Sequence, residues 1–368
     1  MKIGIYARGV SEKSGGVKQY IESVTRAIIE NVSLSNELYI FHNNGMGYFD
    51  CSQKGNVKEI IMKPNNKVIC DFLLCPYYVN KYQLDAIIFP KNVVPFFLKS
   101  KTIVVVHDLA YFMPEYGAYP FLDTVYMKKM LKSSCKRADM IVAVSKNTKN
   151  DIIRILGVEP TKIKVVHEAA DTKYRIIMDR KKLEEFMKKY NLKNRFILFT
   201  GGISPRKNLI RLMKAFQNVS AVITHDLVIT GGCGWKNKRE LEILESNRRL
   251  KRIGFVPEDE MPYLYNLADI FIYPSLYEGF GLPVLEAQAC GVPVIASNVS
   301  SIPEVGGNSV CYVNPNSTES IADAILKVSL DKKYKKSLVK RGFRNIKRFS
   351  WKKAAKKTLD LFEKMTRC

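Results

Sequence analysis

The stretch from Ser275 to Gly291 reads SLYEGFGLPVLEAQACG and contains two glutamates, Glu278 and Glu286, separated by seven residues. The glycines and the proline between them predict a loop that runs into a helix. A helix start offers backbone N–H groups and the positive end of a dipole, which suits phosphate. Carboxylates accept hydrogen bonds from hydroxyls. Phosphate and hydroxyls together describe a nucleotide sugar, so the stretch predicts a sugar-nucleotide site.

Glycine and proline shape this predicted junction. Gly279 and Gly281 allow the backbone to approach a ligand closely. Pro283 fits the first turn of a helix, where its missing N–H leaves no hydrogen bond unmade. Glu278 then lies in the loop and Glu286 about one turn inside the helix. The alternative is that Glu278 is a surface acid and that Glu286 only compensates the helix dipole.

Strands and helices alternate on both sides of this stretch. Short β-branched runs, typical of buried parallel strands, are followed by helical patterns such as Val17–Glu30. The alternation recurs in both halves and predicts an α/β fold with two doubly wound parallel sheets. Ligands of such sheets bind at the carboxyl ends of strands, and a two-domain version places them in the cleft between the domains. The predicted strands are Lys2–Ala7, Glu37–His42, Ala86–Phe89, Thr102–Val106, Met140–Val144, Lys162–Val166, Phe196–Thr200, Asp226–Thr230, Ile253–Phe255, Ile270–Tyr273 and Val294–Ser297.

A polar, lysine-rich stretch around Asp171–Asn194 predicts the boundary between two domains. We assign residues 1–172 to an N-terminal Rossmann-like domain and residues 173–348 to a C-terminal one. Residues 349–368 form a last helix, which we expect to pack back on the N-terminal domain. Beyond the boundary, the predicted helices are Arg180–Tyr190, Asn208–Gln217, Lys238–Leu250 and Lys352–Met365.

The composition is that of a basic globular protein. The 368 residues include 59 lysines and arginines against 35 acids, a formal net charge of +24, which favours lipid, phosphorylated substrate or nucleic acid as partner. A lysine-rich surface without a specific partner is the alternative. The eight scattered cysteines form no C-x-x-C pair, so we expect reduced thiols in a cytoplasmic protein. No apolar run is long enough to span a bilayer, and we expect no signal peptide.

A basic pair, Arg206 and Lys207, follows the predicted strand Phe196–Thr200 through the run GGISPRKN. Cations at the carboxyl end of a parallel strand can neutralise a departing diphosphate. In so basic a chain, two solvated charges are the alternative.

Three further residues stand at strand ends of the first half. Gly15 and Gly16 separate the first strand from the first helix, where they allow close approach to a phosphate or an acceptor. A full G-x-G-x-x-G is absent, which argues against a dinucleotide cofactor. His107 directly follows a strand, where a lone histidine is more often structural. The sequence contains no D-x-D, no H-E-x-x-H and no Cys/His cluster, so it predicts no metal site.

These motifs together resemble a known family. Ser275–Val284 with Glu286, the run from Ala289 to Ser297 and the run SIPEV from Ser301 resemble the donor-site signature of retaining glycosyltransferases of family 4, which have the GT-B fold. The resemblance extends over most of the chain and is densest in residues 254–307. The GGISPRKN run is similar to the family's phosphate-clamp loop. Many members have an arginine where this chain has Gly202; here Lys207 matches the family's lysine, and Arg206 would take the role of that arginine.

The resemblance implies a role for each motif. Glu278 would hold hydroxyls of the donor sugar and Glu286 those of the ribose, while Arg206 and Lys207 would hold the diphosphate. His107 would help to position the anomeric carbon and is not assigned as a general base. The other donor-binding residues that the resemblance implies are Gly15, Gly16, Val256, Gly279, Phe280, Gly281, Leu282 and Pro283.

The resemblance also implies the reaction. It is the retaining, metal-independent transfer of a hexose from GDP-mannose or a UDP-sugar to a glycan or lipid-linked acceptor in polysaccharide or glycoconjugate synthesis, without a cofactor. Residues 1–172 would bind the acceptor and residues 173–348 the nucleotide sugar. A cationic helix around Tyr126–Arg137 would allow contact with an anionic surface on the inner face of the plasma membrane. A helix that packs on the core and has a solvated lysine face is the alternative.

Two other functions remain open at this point. The high positive charge is also typical of nucleic-acid-binding proteins, but the sequence shows neither a recognised module nor aromatics interleaved in a basic stretch. A phosphorylase of the same fold would use orthophosphate as acceptor. The chain is short for that class and has no obvious site for a lysine-bound cofactor.

Overall fold

A computed structural model of the chain describes residues 1–11, 15–52, 54–116, 119–232, 243 and 247–366. It divides into two units, each built on a sheet of its own. The first unit consists of Met1–Phe112, Leu122–Glu168 and Ser350–Cys368, and the second consists of Met113–Phe121 and Ala169–Phe349. The segment Met113–Phe121, which the sequence analysis assigned to the first domain, therefore groups with the second unit.

The sheet of the first unit consists of seven parallel strands, β1 (Lys2–Tyr6), β2 (Glu37–His42), β3 (Val57–Ile61), β4 (Ala86–Phe89), β5 (Lys101–Val106), β6 (Met140–Ala143) and β7 (Ile163–Val165). Their spatial order is β3-β2-β1-β4-β5-β6-β7, so the direction of winding reverses between β1 and β4. The central strands β4 and β5 are almost entirely buried, as expected where helices cover both faces of a parallel sheet.

The sheet of the second unit consists of six parallel strands, β8 (Phe196–Thr200), β9 (Asp226–Thr230), β10 (Leu250–Gly254), β11 (Ile270–Tyr273), β12 (Val294–Ser297) and β13 (Val310–Val313). Their order is β10-β9-β8-β11-β12-β13, with the reversal between β8 and β11. Both sheets are doubly wound, which confirms the predicted fold class. In such sheets the carboxyl ends of the two strands at the reversal form the usual ligand site.

Two of the edge strands, β3 and β13, were not predicted from the sequence. β3 reads VKEII, and its two adjacent charges break the apolar run that marks a buried strand. β13 has only four residues. Most of the predicted helix Lys238–Leu250 lies outside the described residues, and its last residue, Leu250, begins β10 instead.

Helices connect the strands in both units. Ser145 caps the helix that follows β6 by accepting a hydrogen bond from the backbone N–H of Thr148 (3.0 Å). The helices of the first unit are Gly16–Asn31, Lys67–Ile69, Cys75–Lys81, Phe121–Arg137, Lys146–Leu156 and Trp351–Thr366, with a π-helical turn, Cys70–Leu74, between the second and third. Those of the second unit are Arg180–Lys189, Leu209–Val219, Met261–Leu267, Leu282–Ala289, Ile302–Gly306, Thr318–Leu330 and Lys332–Asn345.

The last helix, Trp351–Thr366, belongs to the first unit, where it packs against Gly16–Asn31. The Trp351 ring meets the ring of Tyr20 edge-on at 5.6 Å between centroids. In the part of the chain that the structure describes, no helix combines the length and the apolar character needed to cross a bilayer.

Candidate functional site

The loop that carries Glu278 joins a buried strand to a short helix. β11 leads into this loop, and the helix Leu282–Ala289 begins after Gly281 and has Pro283 in its first turn. The predicted loop-to-helix junction is thus confirmed. Gly281 has a φ of 111°, which residues with a side chain rarely adopt, and a Cβ there would lie 2.7 Å from Ile302 Cδ1. The turn therefore requires glycine.

Glu278 forms a buried ion pair with both predicted cations. Its Oε2 lies 2.9 Å from Arg206 Nη1, and its Oε1 lies 2.7 Å from Lys207 Nζ. All three side chains are largely buried. Burial by itself would raise the pKa of Glu278, but the two cations outweigh it and lower this pKa to about 2. Glu278 is therefore a charged and fully engaged carboxylate at neutral pH.

The two cations are positioned by one tight turn after β8, the 3₁₀ helix Pro205–Lys207. Arg206 Nη1 also donates a hydrogen bond to the carbonyl oxygen of Tyr277 (2.7 Å). Lys207 Nζ also donates to the hydroxyl of Tyr273 and lies 4.7 Å from the centre of its ring. The fold thus brings together a basic pair and an acid that are about 70 residues apart in sequence, because β8 and β11 are neighbours at the reversal of the sheet.

Asn208, which the sequence analysis did not single out, fixes this turn. It has a φ of 61° and a buried side chain, whose Nδ2 donates to the carbonyl oxygens of Pro274 (3.0 Å) and Pro315 (2.6 Å). Arg211 Nη1 in turn donates to Asn208 Oδ1 (2.6 Å). Asn208 ends the GGISPRKN run, and asparagine tolerates the left-handed backbone better than most residues.

Glu286 lies on the helix Leu282–Ala289 and has partners of its own. Its Oε2 accepts a hydrogen bond from the Tyr265 hydroxyl (2.9 Å). Burial, followed by the charge of Glu286, raises the pKa of the Tyr174 hydroxyl, and the rings of Tyr174 and Tyr265 meet edge-on at 5.7 Å. Neither tyrosine was predicted from the sequence, because both belong to distant segments without a motif.

Two serines hold the backbone of the Glu278 loop. Ser301 Oγ donates to the carbonyl oxygens of Glu278 (2.9 Å) and Phe280 (2.7 Å), and Ser300 Oγ accepts from the N–H of Glu278 (3.1 Å). The ring of Phe280 meets Phe349 edge-on at 5.7 Å. These bonds pin the segment that also contains the predicted residues Gly279, Gly281 and Leu282.

The predicted donor-binding residue Val256 follows β10 at the carboxyl edge of the same sheet and is buried. The backbone N–H of Gly231 donates to the carbonyl oxygen of Gly254 (2.9 Å) and so ties the ends of β9 and β10 together. Gly231 has a φ of 138°, and a Cβ there would lie 2.1 Å from the carbonyl oxygen of Gly201. Only glycine lets the ends of β8 and β9 approach this closely.

His107 lies in the first unit, directly after β5. Its Nε2 is 2.9 Å from the carbonyl oxygen of Pro90, and its Nδ1 is 3.4 Å from Glu168 Oε1. Because a carbonyl oxygen can only accept, Nε2 carries the hydrogen of this bond. Burial opposes a charge on the ring, but the hydrogen bond and the negative charge of Glu168 outweigh it and raise the pKa of His107. Glu168 is a residue to which the sequence analysis gave no role.

Gly15 and Gly16 stand at the start of the first helix of the same unit. Gly15 has a φ of 129°, and Gly16 is the first residue of Gly16–Asn31. Among the described residues, none approaches within 4 Å of a Cβ placed on either glycine. Glycine at position 15 is therefore required by the backbone and not by a close neighbour. The residues just before it, 12–14, lie outside the described part of the chain.

The described residues contain no group of three or more His, Cys, Asp or Glu side chains suited to hold a metal ion. The cations Arg206 and Lys207 supply the positive charge at the carboxyl edge of the second sheet.

Two protein-family models match the chain. The model for glycosyl transferases group 1 matches residues 181–345, and the model for glycosyltransferase family 4 matches residues 81–174. The first of these contains Arg206, Lys207, Glu278 and Glu286, and the second contains His107.

A curated relative supports the same family, and solved structures share the fold. The chain is 33% identical to O-antigen chain mannosyltransferase B of Escherichia coli over 72% of this chain and 70% of that protein. It is 29% identical to the serotype-specific mannosyltransferase WbdA of Escherichia coli over 72% of this chain, but it spans only 34% of that longer protein. Its fold is similar to that of Anabaena Alr3699/HepE, solved in complex with UDP-glucose, with a TM-score of 0.75, 16% identity, and coverage of 99% of this chain and 100% of the other.

Proposed function

The chain belongs to the glycosyl transferases of group 1 and has their GT-B fold, and from this premise we propose that it transfers mannose from GDP-mannose to a glycan or lipid-linked acceptor with retention of configuration. The observation that carries the proposal is the ion pair of Glu278 with Arg206 and Lys207 at the reversal of the second sheet. A UDP-hexose is the competing donor. Mannose is favoured by the two mannosyltransferase relatives.

The ion pair suits both halves of a nucleotide sugar. Two cations against one carboxylate leave an excess of one positive charge, which attracts a diphosphate. In our proposal Arg206 and Lys207 turn toward the diphosphate as it binds. The carboxylate of Glu278 is then released to accept hydrogen bonds from hydroxyls of the sugar. The same cations stabilise the charge that develops on the diphosphate as the bond to the anomeric carbon breaks.

We assign His107 a positioning role and not that of a proton acceptor. Its Nε2–H is already donated to the carbonyl oxygen of Pro90, and Nδ1 faces Glu168. Both nitrogens of the His107 ring are therefore engaged within the first unit. The leaving phosphate is then the group that takes the proton from the acceptor hydroxyl. The reaction we propose is thus a front-face displacement, and we propose no metal ion or organic cofactor for it.

A thermal-shift panel tests the proposed donor. GDP-mannose, GDP-glucose, UDP-glucose, UDP-galactose and UDP-N-acetylglucosamine are each added to the full chain, with random oligonucleotides as a separate arm. A ligand at ~100 times its Kd should add about 2.7 kcal/mol to the free energy of unfolding. We expect GDP-mannose to raise the melting temperature most and to support transfer in the presence of EDTA. A shift by oligonucleotides alone would refute the proposal.

Glu286→Gln should weaken the binding of the donor and of free GDP to a similar extent, by roughly tenfold. The reason is that a charged hydrogen bond to the ribose contributes ~1.5–3 kcal/mol. The kcat should change little, since the ribose does not react. The matched control is 2′-deoxy-GDP, which lacks one of the hydroxyls in question. The wild type should bind it more weakly than GDP, and Glu286→Gln should no longer distinguish the two. Undiminished discrimination by the variant, measured by calorimetry, would remove Glu286 from the ribose site.

A further inference from the structure

The second unit contains a cavity of about 490 Å³ that none of the residues assigned to the donor site lines. One wall is formed by residues 173–179, which lead into the helix Arg180–Lys189. The opposite wall is formed by the helix Met261–Leu267 and the turn before it. Binding sites for small organic molecules have volumes of ~300–1,000 Å³, so this cavity is large enough to be one.

Three cations and two acids line this cavity. In the part of the chain that the structure describes, the guanidinium of Arg175 makes no hydrogen bond or ion pair. Lys173 Nζ lies 4.0 Å from Asp259 Oδ1, whose side chain is 99% exposed, and Lys182 Nζ lies 3.6 Å from Asp179 Oδ2. Ion pairs this long and exposed hold the lysines weakly. The cavity therefore has an excess of one positive charge and a guanidinium able to bind phosphate through two parallel hydrogen bonds.

The rest of the cavity lining is apolar or aromatic and consists of Ile176, Ile177, Met178, Pro262 and Tyr263. Met178 is 84% exposed and Ile176 is 52% exposed, so both offer apolar surface that a ligand can cover. Such side chains gain more from a flat ring than from the hydroxyl-rich body of a sugar. Apolar surface beside cations thus suits a nucleobase that is joined to a phosphate.

Hydrogen bonds of Asn266 join the two walls of the cavity. Asn266 Nδ2 donates to the carbonyl oxygens of Arg175 (2.9 Å) and Pro262 (2.8 Å). Asn266 Oδ1 accepts a hydrogen bond from the backbone N–H of Ile177 (2.8 Å). Because one side chain holds both walls, a ligand that moves one wall also acts on the other.

Each wall also contains one of the two tyrosines beside Glu286. Tyr174 directly precedes Arg175, and burial followed by the charge of Glu286 raises the pKa of its hydroxyl. Tyr265 lies on the helix Met261–Leu267 and donates a hydrogen bond to Glu286 Oε2 (2.9 Å). A ligand in the cavity would therefore contact the same two segments that surround the predicted ribose-binding glutamate.

We propose that this cavity is a regulatory site for a nucleoside monophosphate, with the phosphate held by Arg175 and Lys173 and the base on the apolar side chains. The ligand adds negative charge to the unit that binds the nucleotide sugar, so it lowers the affinity of the donor site for GDP. By linkage, GDP lowers the affinity of the cavity for the monophosphate by the same factor. This coupling rests on the proposed sugar transfer, whereas binding in the cavity does not.

The methyl group of Met178 allows binding in the cavity to be observed directly. The full chain is labelled with carbon-13 at its methionine methyl groups, and Met178→Leu identifies the Met178 resonance by its loss. AMP and GMP, each titrated in the presence of excess GDP, should shift this resonance saturably. The resonance of Met46, an exposed methionine of the first unit, should not move. Inorganic phosphate and mannose 1-phosphate should bind roughly tenfold more weakly, because they lack the base.

The double variant Lys173→Gln, Arg175→Gln should raise the Kd of AMP roughly tenfold or more, because it lacks both proposed phosphate ligands. Its retained binding of GDP would show that it is folded. The double variant Arg180→Gln, Lys181→Gln is the matched control, since it removes the same charge from exposed neighbours that do not line the cavity. This control should bind AMP as the wild type does.

Calorimetry measures the coupling between the two sites. Saturating AMP should raise the Kd of GDP about fivefold in the wild type and leave it unchanged in the Lys173→Gln, Arg175→Gln variant. An unchanged Kd in the wild type, or an equal rise in the variant, would overturn the regulatory role, the latter because AMP would then compete at the donor site itself.

The Met178 resonance decides the site independently of GDP. A resonance that neither AMP nor GMP shifts, or equal losses of AMP affinity in both double variants, would overturn the cavity as a binding site. Equal affinity for inorganic phosphate would overturn the nucleoside monophosphate as its ligand. If the chain failed to bind GDP while AMP still shifted the Met178 resonance, the proposed sugar transfer would be refuted and the site would be upheld.

Discussion

Glu278→Gln is expected to lower kcat/KM for sugar transfer by about 10²–10³-fold and, at the same time, to tighten the binding of free GDP. In the structure Glu278 neutralises much of the charge of Arg206 and Lys207. A neutral amide of the same shape leaves both cations to the diphosphate but holds the sugar hydroxyls less strongly. The opposite changes in transfer and in GDP affinity should be measured by steady-state kinetics and by calorimetry.

Glu319→Gln is the control for this prediction, because it removes the same charge from an exposed position of the same unit. It should alter neither quantity. If Glu278→Gln weakened the binding of GDP and left the rate of sugar transfer unchanged, Glu278 would be a structural counter-ion and not a sugar ligand.

Acid unfolding gives an independent view of the same group. The pKa of Glu278 falls from an ordinary value of 4.5 to about 2 in the folded chain, because Arg206 and Lys207 outweigh its burial. Its ion pair therefore contributes stability above the ordinary pKa, and this contribution is lost as the pH falls toward the folded pKa. Between those two values the wild type should lose more free energy of unfolding than Glu278→Gln does. Equal losses would show that the carboxylate is not paired in solution.

Lys207→Met should have the second-largest effect, a fall in kcat of about 10²–10³-fold, because the variant lacks one of two charges that stabilise the departing diphosphate. The unbranched methionine keeps most of the apolar stem and leaves Glu278 paired with Arg206. Lys207→Arg should restore little of the kcat that Lys207→Met loses. The site is tight around the lysine stem, where a Cβ on Gly201 would lie 3.3 Å from Lys207 Cε.

Lys214→Met provides the matched change on an exposed position of the following helix and should leave turnover unaffected. The two variants and the wild type are compared in single-turnover reactions with saturating donor, so that weaker binding does not lower the measured rate. A rate for Lys207→Met close to that of the wild type would exclude Lys207 from the diphosphate clamp.

The fold could be predicted wherever the local pattern was strong. Buried parallel strands such as β5 and β11 are short runs of β-branched and aromatic residues, and both were recognised. The junction at Gly281 and Pro283 was also recognisable, because glycine and proline have backbone preferences that depend little on their neighbours. β3 and β13 were missed, since mixed charge and short length weaken the pattern at a sheet edge.

The partners of the site residues were less predictable. Asn208, Tyr265 and Glu168 each hold a predicted residue or its loop in place. Asn208 ends the GGISPRKN run but was given no role of its own, and Tyr265 and Glu168 stand in none of the recognised motifs. Their importance depends on which chain segments meet in the fold. A hydrogen bond between distant segments produces no periodic pattern in the sequence.

The sequence by itself determined two doubly wound sheets, the family, and the candidate residues Glu278, Glu286, Arg206 and Lys207. Only the tertiary structure decided that Glu278 and the two cations neutralise one another. The reason is physical. Propensity and periodicity act over neighbouring residues, whereas the pKa of this carboxylate depends on groups that meet only when parallel strands align their carboxyl ends.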